Sequence, residues 1–104
     1  MSASMISTKP IVCKLSTPEL QHRKATAIAA LRSRVLLRTE LENGFIYEFT
    51  ASDEVLDQLN EFVKTERICC DFLTFHLTIH DTRAFLNIIG PVGAKEFLQE
   101  EVGL

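Results

Sequence analysis

Residues 52–70 carry apolar side chains at the spacing of an amphipathic helix. Each helical residue turns about 100°, and this rotation collects five apolar residues on one stripe: Val55, Leu56, Leu59, Phe62 and Val63. Ser52 or Thr50, which both precede the stripe, can cap the helix. The same rotation puts Glu66 near the middle of the stripe, with Cys69 and Cys70 on its two flanks. The pattern therefore predicts a helix that places an acid where a core residue is expected.

Four other segments alternate between apolar and polar residues, which is the period of half-buried strands. They form two pairs: 35–41 with 45–50, and 75–80 with 84–89. Asn43-Gly44 between the first two predicts a type I′ turn, because Asn and Gly best tolerate the positive φ that both central residues need. We therefore expect two antiparallel hairpins, the first with Phe45, Tyr47 and Phe49 on its buried face.

Three further segments complete the predicted fold. They are a short strand at 11–15, a helix from about 16 to 31–33, and a closing helix at 94–102. Lys24 interrupts the apolar stripe of the first of these helices, and we expect its ammonium group to extend to solvent. The order β-α-β-β-α-β-β-α favours an α+β fold of two layers, a mainly antiparallel sheet with helices on one face.

The size and charge of the chain limit what it can do. Its 104 residues fit one compact domain, and we assign 1–9 to a flexible N-terminus and 10–104 to a single α+β domain. The net charge of -3 gives no general attraction for nucleic acid or anionic membrane. No apolar run approaches the roughly 18 residues that span a bilayer. Three cysteines without an export signal argue for reduced thiols and a cytoplasmic protein.

The candidate chemistry is concentrated between Glu66 and Phe72. Two adjacent thiolates suit a soft metal ion such as Zn²⁺ or Cu(I), which needs three or four ligands from different segments. Cys13 in the predicted first strand could supply a third sulfur, and Glu66 could supply an oxygen. The metal hypothesis takes four residues as ligands: Cys13, Glu66, Cys69 and Cys70. If it is correct, the sulfur of Cys13 lies within about 4 Å of Cys69 or Cys70.

Two other interpretations remain open. In a thiol-dependent enzyme acting on a small molecule, Cys69 or Cys70 is the nucleophile, Arg67 stabilises its thiolate and Glu66 transfers a proton. In a non-catalytic interaction module the cysteines are core filler, and the chain could form a homodimer through a sheet edge or face. Glu66 then needs a buried ion pair. Three arginines are available as partners: Arg23, Arg38 and Arg67.

Two sequence patterns resemble those of a family of small, largely uncharacterised bacterial proteins. That family shares an E-R-x-C-C-x-F pattern, found here at 66–72, and a later G-P-x-G-x-K-x-F pattern, found at 90–97. The resemblance covers about residues 11–100, although Asp71 stands where the pattern often has proline. It implies no established reaction. It does imply that six residues belong to one site: Cys13, Arg23, Glu66, Arg67, Cys69 and Cys70.

Overall fold

The computed structural model describes residues 17–104, so the predicted strand at 11–15 and the predicted N-terminal segment 1–9 lie outside the described residues. The helices are α1 (Pro18–Arg32), α2 (Asp53–Cys69) and α3 (Ala94–Phe97), which continues as a π-helical turn at Leu98–Val102. The strands are β1 (Leu37–Leu41), β2 (Gly44–Thr50), β3 (Thr74–His80) and β4 (Arg83–Ile89). This order confirms the predicted α+β class. No helix within residues 17–104 has the length and apolar character needed to cross a membrane.

The four strands form one antiparallel sheet in the order β1-β2-β4-β3. The two central strands bury the face that the helices cover. Six of their side chains are at most 1% exposed: Phe45, Tyr47, Phe49, Ala84, Leu86 and Ile88. The alternation of apolar and polar residues in β2 therefore predicted its buried face correctly.

The turn of the first hairpin differs from the prediction. Leu41 pairs with Gly44, so the connection consists of Glu42 and Asn43. Positive φ angles within residues 17–104 occur at three positions: Asp81, Gly93 and Gly103. The predicted type I′ turn at Asn43-Gly44 is therefore wrong. Gly44 already belongs to β2, where an ideally placed Cβ would overlap the carbonyl oxygen of Ile88 on β4.

Helix α2 begins and ends as its sequence predicts. The hydroxyl of Ser52 accepts a hydrogen bond from the N–H of Val55 at 3.2 Å and caps the first turn. Its buried side chains are those of Val55, Leu59, Phe62, Thr65, Glu66 and Cys69. The helix stops at Cys69, and Cys70 has φ -119° and ψ 68°, outside the helical region. The two thiols thus lie where the helix gives way to irregular backbone.

Candidate metal centre

Two thiols and one carboxyl group meet at the end of α2. The Sγ atoms of Cys69 and Cys70 are 3.3 Å apart. Oε1 of Glu66 lies 3.4 Å from Sγ of Cys70 and 3.9 Å from Sγ of Cys69. Residues three and four apart share one face of a helix, which is why the sequence alone could group them. One potential ligand atom from each residue lies within 4.8 Å of the others, so the cluster could hold a metal ion.

The cluster belongs to the protein core. Glu66 is 1% exposed, and Cys69 and Cys70 are 0% exposed. Core side chains are packed at the density of organic crystals, so their positions shift little without moving their neighbours. The geometry of the two sulfurs is therefore held by the surrounding fold.

Lys24 of α1 supplies a cation to this cluster. Its Nζ lies 3.7 Å from Oε1 of Glu66 and 3.8 Å from Sγ of Cys69, and it stands 5.9 Å from the ring centre of Phe97. The side chain is only 9% exposed, so the prediction that its ammonium group extends to solvent is wrong. The carboxyl group of Glu66 on α2 stabilises the buried ammonium group of Lys24 on α1. Without such a partner, a buried charge would be costly.

The predicted buried ion pair of Glu66 is present, but its cation is a lysine. Arg23 instead pairs with Glu61, with Nη2 and Oε2 2.6 Å apart. The guanidinium of Arg38 lies 4.7 Å from the ring centre of Phe45. Arg67 is exposed. The three arginines considered from the sequence therefore lie elsewhere, although Lys24 was visible as a charge that interrupts the apolar stripe of α1. A buried ion pair of this kind is indicated when two helices each carry one charged residue in their apolar stripes and the two charges are of opposite sign.

Burial raises the pKa values of two acidic groups of the cluster, the carboxyl of Glu66 and the thiol of Cys70. It raises the pKa of the Glu66 carboxyl, and the nearby Lys24 ammonium opposes this rise without cancelling it. The pKa of the Cys70 thiol is raised by its contact with Cys69, by burial and by the Glu66 carboxylate. Thiols in such a place react slowly as nucleophiles.

One oxygen of the cluster has an incomplete environment. Oε2 of Glu66 is buried and makes no hydrogen bond within the described part of the chain. Buried polar atoms are nearly always satisfied, because leaving one without a partner costs about 1–3 kcal/mol. An acceptor left open beside two thiols is consistent with a place for a bound group.

A surface groove lies apart from the thiols. It has a volume of about 280 Å³, runs between α1 and α2, and is lined in part by Arg23, Ala27 and Glu61. None of the cluster residues lines it.

Comparisons of the chain with protein-family models, with curated proteins and with solved structures gave no match. The family resemblance of the two sequence patterns therefore stays a prediction. The position of Cys13 relative to the cluster also stays a prediction, because Cys13 lies outside the described residues. Function has to be argued from the cluster itself.

Proposed function

We propose that the protein binds a soft metal ion, such as Zn²⁺ or Cu(I), through Cys69, Cys70 and Glu66. The observation that carries this proposal is the convergence of two sulfurs and a carboxylate oxygen within 4.8 Å inside the core. Thiolate sulfur is the ligand that these ions prefer. Cytoplasmic, reducing conditions would keep both thiols available.

The charges in the cluster support the binding of a divalent ion. Lys24 and Glu66 form an ion pair, with Nζ and Oε1 3.7 Å apart, so their charges already balance. A divalent ion that displaces the protons of two thiols is balanced by the two thiolates. The ammonium of Lys24 lies 3.8 Å from Sγ of Cys69. The ion and the two thiolates would then add no net charge to the low-dielectric core.

A complete site needs more ligands than the two sulfurs. Structural zinc sites are almost always four-coordinate. The open Oε2 of Glu66 supports a role for this residue as an oxygen ligand. Cys13 remains our predicted third sulfur ligand.

Metal titration of the reduced protein tests the proposal. We expect Zn²⁺, or Cu(I) without oxygen, to bind one ion per chain and to slow alkylation of Cys69 and Cys70, as located by peptide mass spectrometry. Because each cysteine supplies a ligand, Cys69→Ser and Cys70→Ser should each weaken binding by at least about tenfold. Glu61→Ala changes an exposed acid of the same helix and serves as the control. Absence of metal binding, or equal affinity in all variants, would contradict the proposal.

Cys13→Ser asks a separate question in the same titration. If Cys13 is the third sulfur ligand, its loss should weaken metal binding by a factor similar to that for Cys69 and Cys70. If the variant binds as the wild type does, Cys13 is not a ligand of the site.

The thiol-dependent enzyme has less support than the metal site. Both thiols are fully buried, and the pKa of Cys70 is raised. Arg67, the predicted partner of the thiolate, is exposed, and Lys24 is the cation that lies beside Cys69 in the described part of the chain.

The interaction module has one favourable observation. Leu77 and Ile79 of β3 are 42% and 53% exposed, and an exposed apolar strand could pair with a second copy.

A further inference from the structure

We infer that the pair Cys69 and Cys70 takes trivalent arsenic, in the form of arsenous acid, as a covalently bound ligand. This inference rests on the proposed function only in taking both thiols as ligands of one atom, and it names a further thiophile for the same site. It is argued from the separation of the sulfurs, their packing and the charge balance of the cluster.

The separation of the two sulfurs sets the bond angle at a shared atom. Their Sγ atoms are 3.3 Å apart, and with bonds of about 2.3 Å this corresponds to an angle of about 90°. At the same bond length a tetrahedral ion needs its sulfurs about 3.8 Å apart, and a linear ion about 4.6 Å. Trivalent arsenic carries a lone pair and forms a pyramid whose bond angles lie near a right angle. The separation of the two thiols in the structure therefore suits arsenic, whereas Zn²⁺ would require the sulfurs to move apart by about half an ångström.

The packing of the thiols opposes a wider separation. Cys69 and Cys70 are both 0% exposed and belong to the main hydrophobic core. Moving the sulfurs apart by about half an ångström would displace close-packed neighbours or force side chains from their preferred rotamers. A ligand that accepts the existing separation leaves the two sulfurs in place, so the neighbours have to make room only for the arsenic atom and its hydroxyl group.

The reaction with arsenous acid is neutral overall. As(OH)₃ and two R–SH give (R–S)₂As–OH and two H₂O. Two S–H and two As–O bonds break, and two As–S and two O–H bonds form, with no change of oxidation state. No proton is released and no ion has to lose its hydration shell to enter the core, whereas a metal cation requires both. The ion pair between Lys24 and Glu66 keeps its charges unchanged in this reaction.

Glu66 is placed to assist this condensation. Its Oε1 lies 3.4 Å from Sγ of Cys70, where it can take the thiol proton and pass it to a leaving hydroxide. Its Oε2 makes no hydrogen bond within residues 17–104. That atom can accept a hydrogen bond from the hydroxyl group that stays on arsenic. The open acceptor of the cluster thus gains a partner.

Titration with sodium arsenite tests the inference on the full chain. We expect one arsenic per chain by native mass spectrometry, with both Cys69 and Cys70 protected from alkylation. Because a second sulfur on the same chain acts at high effective concentration, Cys69→Ala or Cys70→Ala should weaken binding by about a hundredfold or more. Glu61→Ala, which changes an acid of α2 outside the cluster, is the matched control and should keep both thiols protected. Equal arsenite affinity in the wild type and in the two cysteine variants would overturn the inference.

Arsenic X-ray absorption of the wild-type protein gives a readout that needs no variant to fold. At least two sulfur neighbours per arsenic are expected, and oxygen neighbours alone would overturn the inference. A parallel Zn²⁺ titration separates it from the proposed function. Binding of Zn²⁺ without arsenite refutes the arsenic inference alone, and binding of arsenite without Zn²⁺ or Cu(I) supports it while refuting the metal-ion function. If no thiophile binds, both fail.

Discussion

Glu66→Ala is expected to lower the free energy of unfolding by about 3 kcal/mol. The carboxyl group lies 3.7 Å from Nζ of Lys24, and the two side chains are 1% and 9% exposed. Removing one member of a buried ion pair is costly because the other charge stays in the core without that counter-ion. The change also leaves a cavity between α1 and α2, which adds to the loss. Urea unfolding of the reduced protein, followed by circular dichroism, measures the effect.

Glu61→Ala is the matched control for this prediction. It makes the same change on the same helix, but Glu61 pairs with Arg23 at the surface, where both side chains are 45% exposed. Exposed ion pairs contribute little to stability because water screens them, so we expect little measurable change. Similar unfolding midpoints for the two variants would mean that Glu66 does not sit in the core as described.

The arrangement of Glu66, Cys69 and Cys70 could be predicted from sequence because it is local. Spacings of three and four residues place side chains on one helix face whatever the rest of the chain does. The apolar stripe then showed that this face is buried. The same reasoning located the buried residues of β2, since alternate residues of a strand share a face.

The cation of the cluster could not be predicted in this way. Lys24 and Glu66 are far apart in the sequence, and their contact depends on how α1 is placed along α2. Periodicity shows which face of a helix is buried, but it does not show which residues of two faces meet. A lysine in an apolar stripe can extend its ammonium group to solvent or pair with an acid inside the core. Which of the two occurs depends on whether an acid of another element lies within reach.

The turn of the first hairpin shows a second limit of local rules. Asn43-Gly44 favours a type I′ turn because of the φ angles that these residues tolerate. The structure instead uses Gly44 inside β2, paired with Ile89 of β4. Position 44 requires glycine because of its contact with β4, which is about half the chain away in sequence. Rules about neighbouring residues cannot detect such a contact.

Gly44→Ala is accordingly expected to destabilise the fold by about 3 kcal/mol. The added Cβ would overlap the carbonyl oxygen of Ile88 and lie 2.8 Å from Cα of Ile89. Both obstacles are backbone atoms of a central strand, so rotation of a side chain cannot relieve the overlap. The pairing of β2 with β4, which positions Phe45 and Ile88 in the core, must open instead. Urea unfolding again provides the measurement.

Two further variants distinguish close approach from backbone conformation as the reason for this glycine. Gly103 has φ +65°, and the nearest atom to an added Cβ is 3.5 Å away, so Gly103→Ala should cost only about 1 kcal/mol of backbone strain. Gly44→Asn tests the turn directly, because asparagine tolerates the positive φ of a type I′ turn. If the contact with β4 is the reason, Asn at position 44 is at least as damaging as Ala. An Asn variant more stable than the Ala variant would place Gly44 in the turn and refute the observed register.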